Sequence, residues 1–403
     1  MDFTDTNDEA AFRETAREWI EANAPVHLAE PLTQSGFGST KTGDLDPIAE
    51  AKRWQKTKAD AGWACIQWPE AYGGRGASPI EQVIWNQEEG IYSKLTGTFI
   101  IGQGMCAPTL MAYASEDQKR HYLPKLASGE EIWCQLFSEP QGGSDLAGLR
   151  TRAEKDGDQW VINGQKIWTS TAHHADWIFC LVRTDNSGKK QEGITFILVD
   201  MKSEGIKVNP IIGIDNEHNL NEVEFNNVRV PAKNVLGEVG KGWTVAKALL
   251  AHERTGIAGV ADIKRNVRLL QEAAAAEVNG GERLLDDAGF QQRLADIEVE
   301  LMALEFTELR TLAAMAAGGF PGPESSLLKI KGTELQQATQ ELRMEIAAYY
   351  QGVLSTDMDP EVLGHEFGSD ARRAFMYGRA ATIYGGSNEV QKNIISKYVL
   401  GLE

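Results

Sequence analysis

Cysteine is scarce in this chain: four in 403 residues, at Cys65, Cys106, Cys134 and Cys180, with no CxxC pair. That leaves neither a disulfide framework nor a zinc framework, and the four read as small buried hydrophobes of a reducing compartment. The seven histidines are scattered. The adjacent His173 and His174 cannot both face one site from a regular strand, so no metal centre is expected. No apolar run approaches the length that spans a bilayer, and membrane insertion is not expected. The N-terminus, MDFTDTNDEAAF, begins acidic and has neither a charged-then-apolar leader nor a basic transit character. A cytoplasmic setting is the expectation. Positive charge is also short, with 40 Lys and Arg against 58 Asp and Glu and a net charge of -18. That balance argues against nucleic acid or anionic membrane as a broad partner, although a local basic pocket could still hold a phosphate. No internal repeat or low-complexity tract is evident.

What is present is an ordinary globular composition, 42% hydrophobic and 24% charged, in a chain long enough for two or three cores. Residues 1–130 read as helical. Asn7 or Asp8 can cap a helix with Phe12, Ala16, Trp19 and Ile20 on one face, and Pro25 follows its end. Further helices fit Trp54 to Ala61, 79–92 and 116–128. Over 131–235 the period becomes that of strands. Gln159 to Ile162, then Asn163-Gly164, then Gln165 to Trp168 predicts a hairpin, because Asn-Gly suits the positive φ angles of a tight turn. Trp177 to Val182, Ile194 to Val199, Val223 to Phe225 and Val228 to Val230 supply more strands of a small barrel or sandwich. Over 236–403 helices return. Phe290, Leu294, Ile297, Leu301 and Leu304 form one apolar stripe, and a Gly/Pro break at 318–323 precedes a helix starting at Ser325 or Ser326.

The most informative single residue is a carboxylate in an apolar stripe. Trp243, Ala246, Leu250, Glu253, Ile257, Val260, Ile263, Val267 and Leu270 follow one another at helical spacing, and every member but Glu253 is apolar. A buried carboxylate is paired, protonated or employed in chemistry, and on the pattern alone a structural ion pair, Arg254 being adjacent, is the commoner outcome. Three other segments carry polar groups among glycines. Phe137 to Asp145, with Ser138, Gly143 and Ser144, would let backbone N–H groups approach an anionic or ring-shaped ligand, or is simply a capped glycine turn. Gln165 to Ser170 sets Trp168 and two hydroxyls at a strand end, where tryptophan is more often core. Tyr384 to Gln391 could form a backbone nest for a phosphate or be a plain loop before the last helix. Gly237 to Gly242 has the wrong spacing for a dinucleotide fingerprint and reads as a turn leading into the Glu253 helix.

Taken in order, these segments resemble the acyl-CoA dehydrogenase family. The resemblance rests on Trp68-Pro69 with Tyr72-Gly73-Gly74, Ser138-Glu139-Pro140 to Ser144-Asp145, Asn163-Gly164-Gln165-Lys166 with Trp168, Val228 to Pro231, and Glu253-Arg254. It runs over nearly the whole chain. It implies an α+β multi-domain fold: an N-terminal all-α domain (1–130), a middle β-barrel (131–235) and a C-terminal four-helix bundle (236–403). The cofactor it implies is FAD, between the β unit and the last helices. By position, the Phe137 backbone and Ser138 side chain would touch the flavin ring. Gly143 belongs to the same loop, and Ser144 would reach the pyrophosphate and border the substrate. Trp168 would flank the isoalloxazine, with Ser170 near its N5 edge. Ser387 and Glu389 would reach the pyrophosphate and adenosine, and Tyr384 and Arg254 would line the substrate site. The implied reaction is α,β-dehydrogenation of an acyl-CoA to the 2-enoyl-CoA. A base takes the α-proton, flavin N5 accepts the β-hydride, and the backbone N–H of Gly385 helps hold the developing oxyanion.

Two departures shape the expectation. In the commonest branch of the family the residue after the loop tyrosine is the catalytic glutamate, and here it is Gly385. A minority branch, like isovaleryl-CoA and long-chain acyl-CoA dehydrogenases, places the glutamate just before an arginine on the helix after the β unit. Glu253-Arg254 matches that branch, so Glu253 is the expected base. Second, the Arg-x-x-Phe-Gly-like and Gly-Gly-x-Gly stretches that many homotetrameric relatives use across the subunit boundary are replaced by Gln271 to Ala276 and Ala347 to Gly352. That pattern resembles one subunit of heteromeric dehydrogenases acting on sterol side chains or dicarboxylates. The expected partners are an acyl-CoA, an electron-transferring flavoprotein, and either copies of this chain or a second, unlike chain. The alternatives are a flavin-binding or scaffold subunit, and an oxidase or monooxygenase of the same fold.

Overall fold

The Thr6 hydroxyl accepts from the Glu9 N–H, while the Glu9 carboxylate accepts from the Thr6 N–H at 2.7 Å. This reciprocal cap starts helix α1 (Asn7–Asn23), so the cap lies just before the expected Asn7 or Asp8, where Thr-x-x-Glu closes a box. The computed structural model describes residues 5–33, 40, 42–279, 281–316, 322–323, 325–348 and 365–402, and leaves undescribed the side chains of 33, 251–257, 279, 312, 315–316 and 365–370. After α1 come α2 (Ala29–Thr33), α3 (Pro47–Asp60) and α4 (Pro79–Glu89). α4 stops short of the expected 92 because Gly90 turns to φ 55. A 3-10 stretch (Gly90–Phe99) and a π turn (Ile101–Cys106) lead into α5 (Ala107–Tyr113) and α6 (Glu116–Ser128).

Aromatic packing organises these helices. The Trp63 and Trp85 rings stack at 4.7 Å and those of Trp19 and Trp54 at 5.6 Å. Beneath them the buried Glu89 carboxylate accepts from Lys58 Nζ at 2.7 Å, Trp54 Nε1 at 2.9 Å and Trp85 Nε1 at 3.1 Å. A buried charge survives only when paired and hydrogen-bonded, as here. Glu89→Gln keeps the shape, sets an NH2 group against one of the two indole N–H groups and strips Lys58 of its counter-charge. It should lower unfolding free energy by about 2 kcal/mol. Urea unfolding followed by tryptophan emission checks this, and a loss within experimental error would mean that the network is dispensable.

The strands are β1 (Trp133–Leu136), β2 (Arg152–Asp156), β3 (Gln159–Ser170), β4 (Trp177–Arg183), β5 (Ile194–Asp200), β6 (Ile206–Ile211) and β7 (Leu220–Pro231). They form one seven-stranded half-barrel sheet in the order β1-β4-β2-β3-β7-β6, with β5 paired to β4. The expected hairpin at Asn163-Gly164 does not exist. β3 runs straight through those residues, and the tight turn lies at Gly157-Asp158, where Asp156 faces Gln159 and Gly157 takes φ 59. Gly164 instead marks a register shift against β7, and a Cβ there would come within 2.6 Å of Thr151 Cα. The glycine answers a close approach between strands, not a turn.

The Glu253 stripe does not lie on one continuous helix. It spans two helices, α7 (Gly242–Ile257) and α8 (Val260–Ala276), parted at Gly259, whose φ of 62 a continuous helix cannot contain. A Cβ on Gly332 would lie 2.5 Å from the Ala258 carbonyl oxygen, so that break is met by the helix carrying Gly332 at close quarters. Among the described side chains of α7, Val245, Ala246 and Leu249 are buried, while Trp243 and Leu250 are only partly covered. In α8 Val260, Ile263, Val267 and Leu270 are buried as expected.

A two-stranded ribbon, β8 (Val278–Asn279) and β9 (Glu282–Arg283), precedes α9 (Ala288–Ala316), α10 (Ser325–Ala347), α11 (His365–Gly378) and α12 (Asn388–Tyr398). The stripe Phe290, Leu294, Ile297, Leu301 and Leu304 is buried on α9, and α10 starts at Ser325. The chain packs as two units. One contains the described residues up to Ile212 together with His218–His252; the other contains Gly213–Glu217 and the residues from Glu253 onward. Among the described residues no helix is long and apolar enough to cross a membrane.

Candidate active site

In the first unit the segment after β1 is fastened to the end of β3. Glu139 and Gly142 exchange backbone hydrogen bonds of 3.1 and 2.9 Å, closing a tight loop over Pro140-Gln141. Beyond it Gly143 and Ser144 are exposed, and a Cβ on Gly143 would stand 3.8 Å from Ser138 Oγ. The Phe137 ring is buried edge-on to Phe179 and Phe196, and the Ser138 side chain is half-buried. The Ser138 carbonyl accepts from the Ile167 N–H at 3.0 Å, so the loop takes a donor that β3 would otherwise give to its ladder.

That diversion coincides with a bulge. Lys166 faces Val223 and Thr169 faces Asn221, so β3 has one more residue than β7 over this interval. Trp168 lies in the bulge with φ 62, a left-handed conformation that costs a side-chain-bearing residue about 1–2 kcal/mol. Its ring is 58% exposed, the opposite of the core placement common for tryptophan, while Thr169 is buried with its Oγ1 unpartnered. A strained backbone that holds a large aromatic plane in the open, on the strand end fastened to a glycine-containing loop, fits a flat ring ligand with an anionic tail.

The buried pair under this platform was not singled out from the sequence as functional. Lys166 Nζ reaches Glu139 Oε1 at 2.9 Å and the Phe137 carbonyl at 3.2 Å. Glu139 also accepts from the Arg150 and Thr151 N–H groups at 2.6 and 2.9 Å, and from Gln141. Burial works to raise the Glu139 pKa, but the Lys166 ammonium and these donors outweigh it and hold the group below its ordinary value. The readable signal was strand alternation: Trp160, Ile162 and Lys166 share the inward face of β3, and a lysine there needs a buried acid.

The second unit holds the remaining candidates. Gly385 and Gly386 take φ 64 and 80, and Ser387 caps α12, accepting from the Val390 N–H at 3.4 Å. Gln391 Nε2 donates to the Gly385 and Gly386 carbonyls at 3.1 and 3.3 Å, which ties the loop to the start of α12. Tyr384 and Glu389 are exposed, and the Glu389 carboxylate is held below its ordinary pKa, first by a hydrogen bond to its own backbone N–H and then by Ser387. A helix start preceded by two left-handed glycines suits a phosphate. Gly385 also explains why a base does not reside there: any side chain would have to adopt that left-handed backbone. Glu253 and Arg254 lie on the helical backbone of α7, in the last turn before its end at Ile257, and their side chains lie outside the described residues.

His173 and His174 lie in a turn after β3, not in a strand, and their ring centroids are 4.0 Å apart; His218 stacks on His173 at 4.0 Å. Among the described residues no group could hold a metal ion.

Three family models cover almost the whole chain: the acyl-CoA dehydrogenase N-terminal domain at residues 6–130, the middle domain at 134–228 and the C-terminal domain at 240–400. The chain is 34% identical over 392 residues to acyl-CoA dehydrogenase IpdE1 of Mycobacterium tuberculosis, covering 97% of each protein. It superposes on a chain of the ChsE4-ChsE5 complex from Mycobacterium tuberculosis with a TM-score of 0.82 and 30% identity, over 100% of both. The structure described as the Tcur3481-Tcur3483 steroid ACAD also gives a TM-score of 0.82, at 29% identity over 100% of both. The chain therefore belongs to the acyl-CoA dehydrogenase family and is an FAD-dependent oxidoreductase.

Proposed function

We propose that this dehydrogenase converts an acyl-CoA thioester to its 2-enoyl-CoA with Glu253 as the base. The observation that carries the assignment is the glycine at 385: its left-handed backbone leaves no acid after the loop tyrosine, and Glu253 is the carboxylate at the alternative position. Glu253 removes the proton from the carbon next to the thioester carbonyl, and Gly385 donates its N–H to the oxygen on which charge then grows. FAD, when bound, accepts the hydride from the neighbouring carbon. Phe137, Ser138, Gly143, Ser144, Trp168 and Ser170 would hold the flavin and its pyrophosphate, and Ser387 and Glu389 the nucleotide end. Ser144, Arg254 and Tyr384 border the substrate. The division at about 130 and 235 follows the two changes of structural period along the chain.

The partner reading is an assembly with a second acyl-CoA dehydrogenase-like chain. It is supported by relatives described as two-component complexes and by the exposed apolar row Val299, Met302 and Phe306 along α9. The relative described as a steroid ACAD favours a steroid-derived acyl group. Electrons would pass on to an electron-transferring flavoprotein in the cytoplasm. The test is the flavin absorbance of the purified protein, recorded anaerobically while a panel of acyl-CoAs, steroid-derived ones included, is added. Bleaching by one of them is expected. A yellow protein that no thioester bleaches, but that consumes oxygen once reduced, would replace the reading with an oxidase. A colourless protein that turns yellow only with a second chain would make this a subunit whose site the partner completes.

A further inference from the structure

The flavin reading leaves unexplained how the β3 bulge keeps its shape. A bulged segment has lost ladder hydrogen bonds, and Trp168 lies there in an unfavourable backbone conformation. Directly opposite, fully buried, is Asn221. Its Nδ2 donates to the Thr169 carbonyl at 3.0 Å, and also to His173 Nδ1 at 3.0 Å. Its Oδ1 accepts from His218 Nε2 at 2.8 Å. The amide is thus read on both sides. Were it flipped, its oxygen would face the Thr169 carbonyl and its NH2 the His218 N–H, like against like. The two rings that fix it stack on one another and come from the two segments that flank one end of the bulged pair, just after β3 and just before β7. Burial, with the neighbouring histidines His174 and His218, pushes His173 down to about 4, so the ring is neutral at neutral pH, and the Asn221 NH2 that points at Nδ1 makes that nitrogen the acceptor.

We propose that Asn221, oriented by His173 and His218, is a positioning residue that clamps the Thr169 carbonyl and so presents Trp168 and Ser170 to the flavin. This rests on the reading that Trp168 and Ser170 contact FAD. The clamp acts on the side of the strand away from the ligand: it touches no reacting atom, and its effect is to hold in advance a conformation that binding would otherwise have to impose.

The experiment compares Asn221→Leu, Asn221→Asp, His218→Phe and Trp168→Ala with the unaltered full-length protein. The measurements are the FAD dissociation constant, the emission of the bound flavin, and amide hydrogen exchange of residues 167–171 in flavin-free protein. His218→Phe keeps the stacked ring and removes only the donor to Asn221, and Asn221→Asp keeps the acceptor and removes the donor to Thr169. These two keep the test open should Asn221→Leu fail to fold. Expected are faster exchange over 167–171, about tenfold weaker FAD binding and brighter flavin emission in the Asn221 and His218 variants. FAD binding and exchange unchanged in those variants, with binding weakened by Trp168→Ala, overturns the clamp alone. FAD binding and emission unchanged in Trp168→Ala overturns the flavin contact itself, and the proposal with it.

Discussion

Glu253→Gln should leave a yellow protein that binds its acyl-CoA yet is bleached at least about 10³-fold more slowly than the unaltered enzyme. The magnitude follows from what a positioned base contributes, typically 10²–10⁴ in rate. Glutamine matches glutamate in size and has good helix propensity, so α7 and the Gly259 break should be unaffected. Substrate binding draws on the CoA moiety and the acyl chain, so the dissociation constant should move little while the rate of the first half-reaction collapses. Rapid-mixing absorbance separates the two: an immediate small shift of the flavin band reports binding, and its slow loss reports chemistry. A variant that bleaches within tenfold of the parent rate would remove Glu253 from the mechanism. The carboxylate cannot be relocated freely to test this, because at Gly385 it would have to sit at φ 64.

Why the outline was readable and some details were not comes down to how far apart the interacting residues are. Helical stripes are local: Phe290 to Leu304 and Val260 to Leu270 announce their buried faces because partners recur every three or four residues. The order helical, β, helical was legible for the same reason. The Asn163-Gly164 hairpin misled because the dipeptide is a turn signal only when nothing else requires a glycine; the Thr151 backbone, distant in sequence, required this one. The α7–α8 break was hidden because the apolar spacing continues across it, and Gly259 alone marks the interruption. Of the candidate site, the loop at 137–145, Trp168 and the Tyr384-Gly385 turn were visible as motifs. Asn221 and the histidines were not, since three polar side chains from separate segments leave no pattern in one sequence.

Lys166→Met should cost about 3–5 kcal/mol of stability at neutral pH, the usual price of stranding a buried charge. The methionine fills nearly the same volume, so the loss is electrostatic: Glu139, with its side chain 2% exposed, would keep the Arg150, Thr151 and Gln141 donors but lose the ammonium 2.9 Å away. The sign of the pH dependence then reverses. In the unaltered protein the folded-state pKa of Glu139 is below its unfolded value, so its contribution is present above the unfolded value and is lost as pH falls through the folded one. Without Lys166, burial is opposed by neutral donors only, and the folded-state pKa rises above the unfolded value. Stability is then full below the unfolded value and is lost as pH climbs through the folded one. The gap between variant and parent should therefore widen from pH 5 to pH 8, as read by urea unfolding at each pH. Because Nζ also holds the Phe137 carbonyl, the loop before Ser138 should loosen and FAD should dissociate more readily. The second substitution Glu139→Gln, made in the Lys166→Met background, removes the stranded charge and should recover part of the loss and flatten the pH dependence. A double variant no more stable than Lys166→Met would show that the pair is not coupled, and that the platform under Trp168 is held by packing alone.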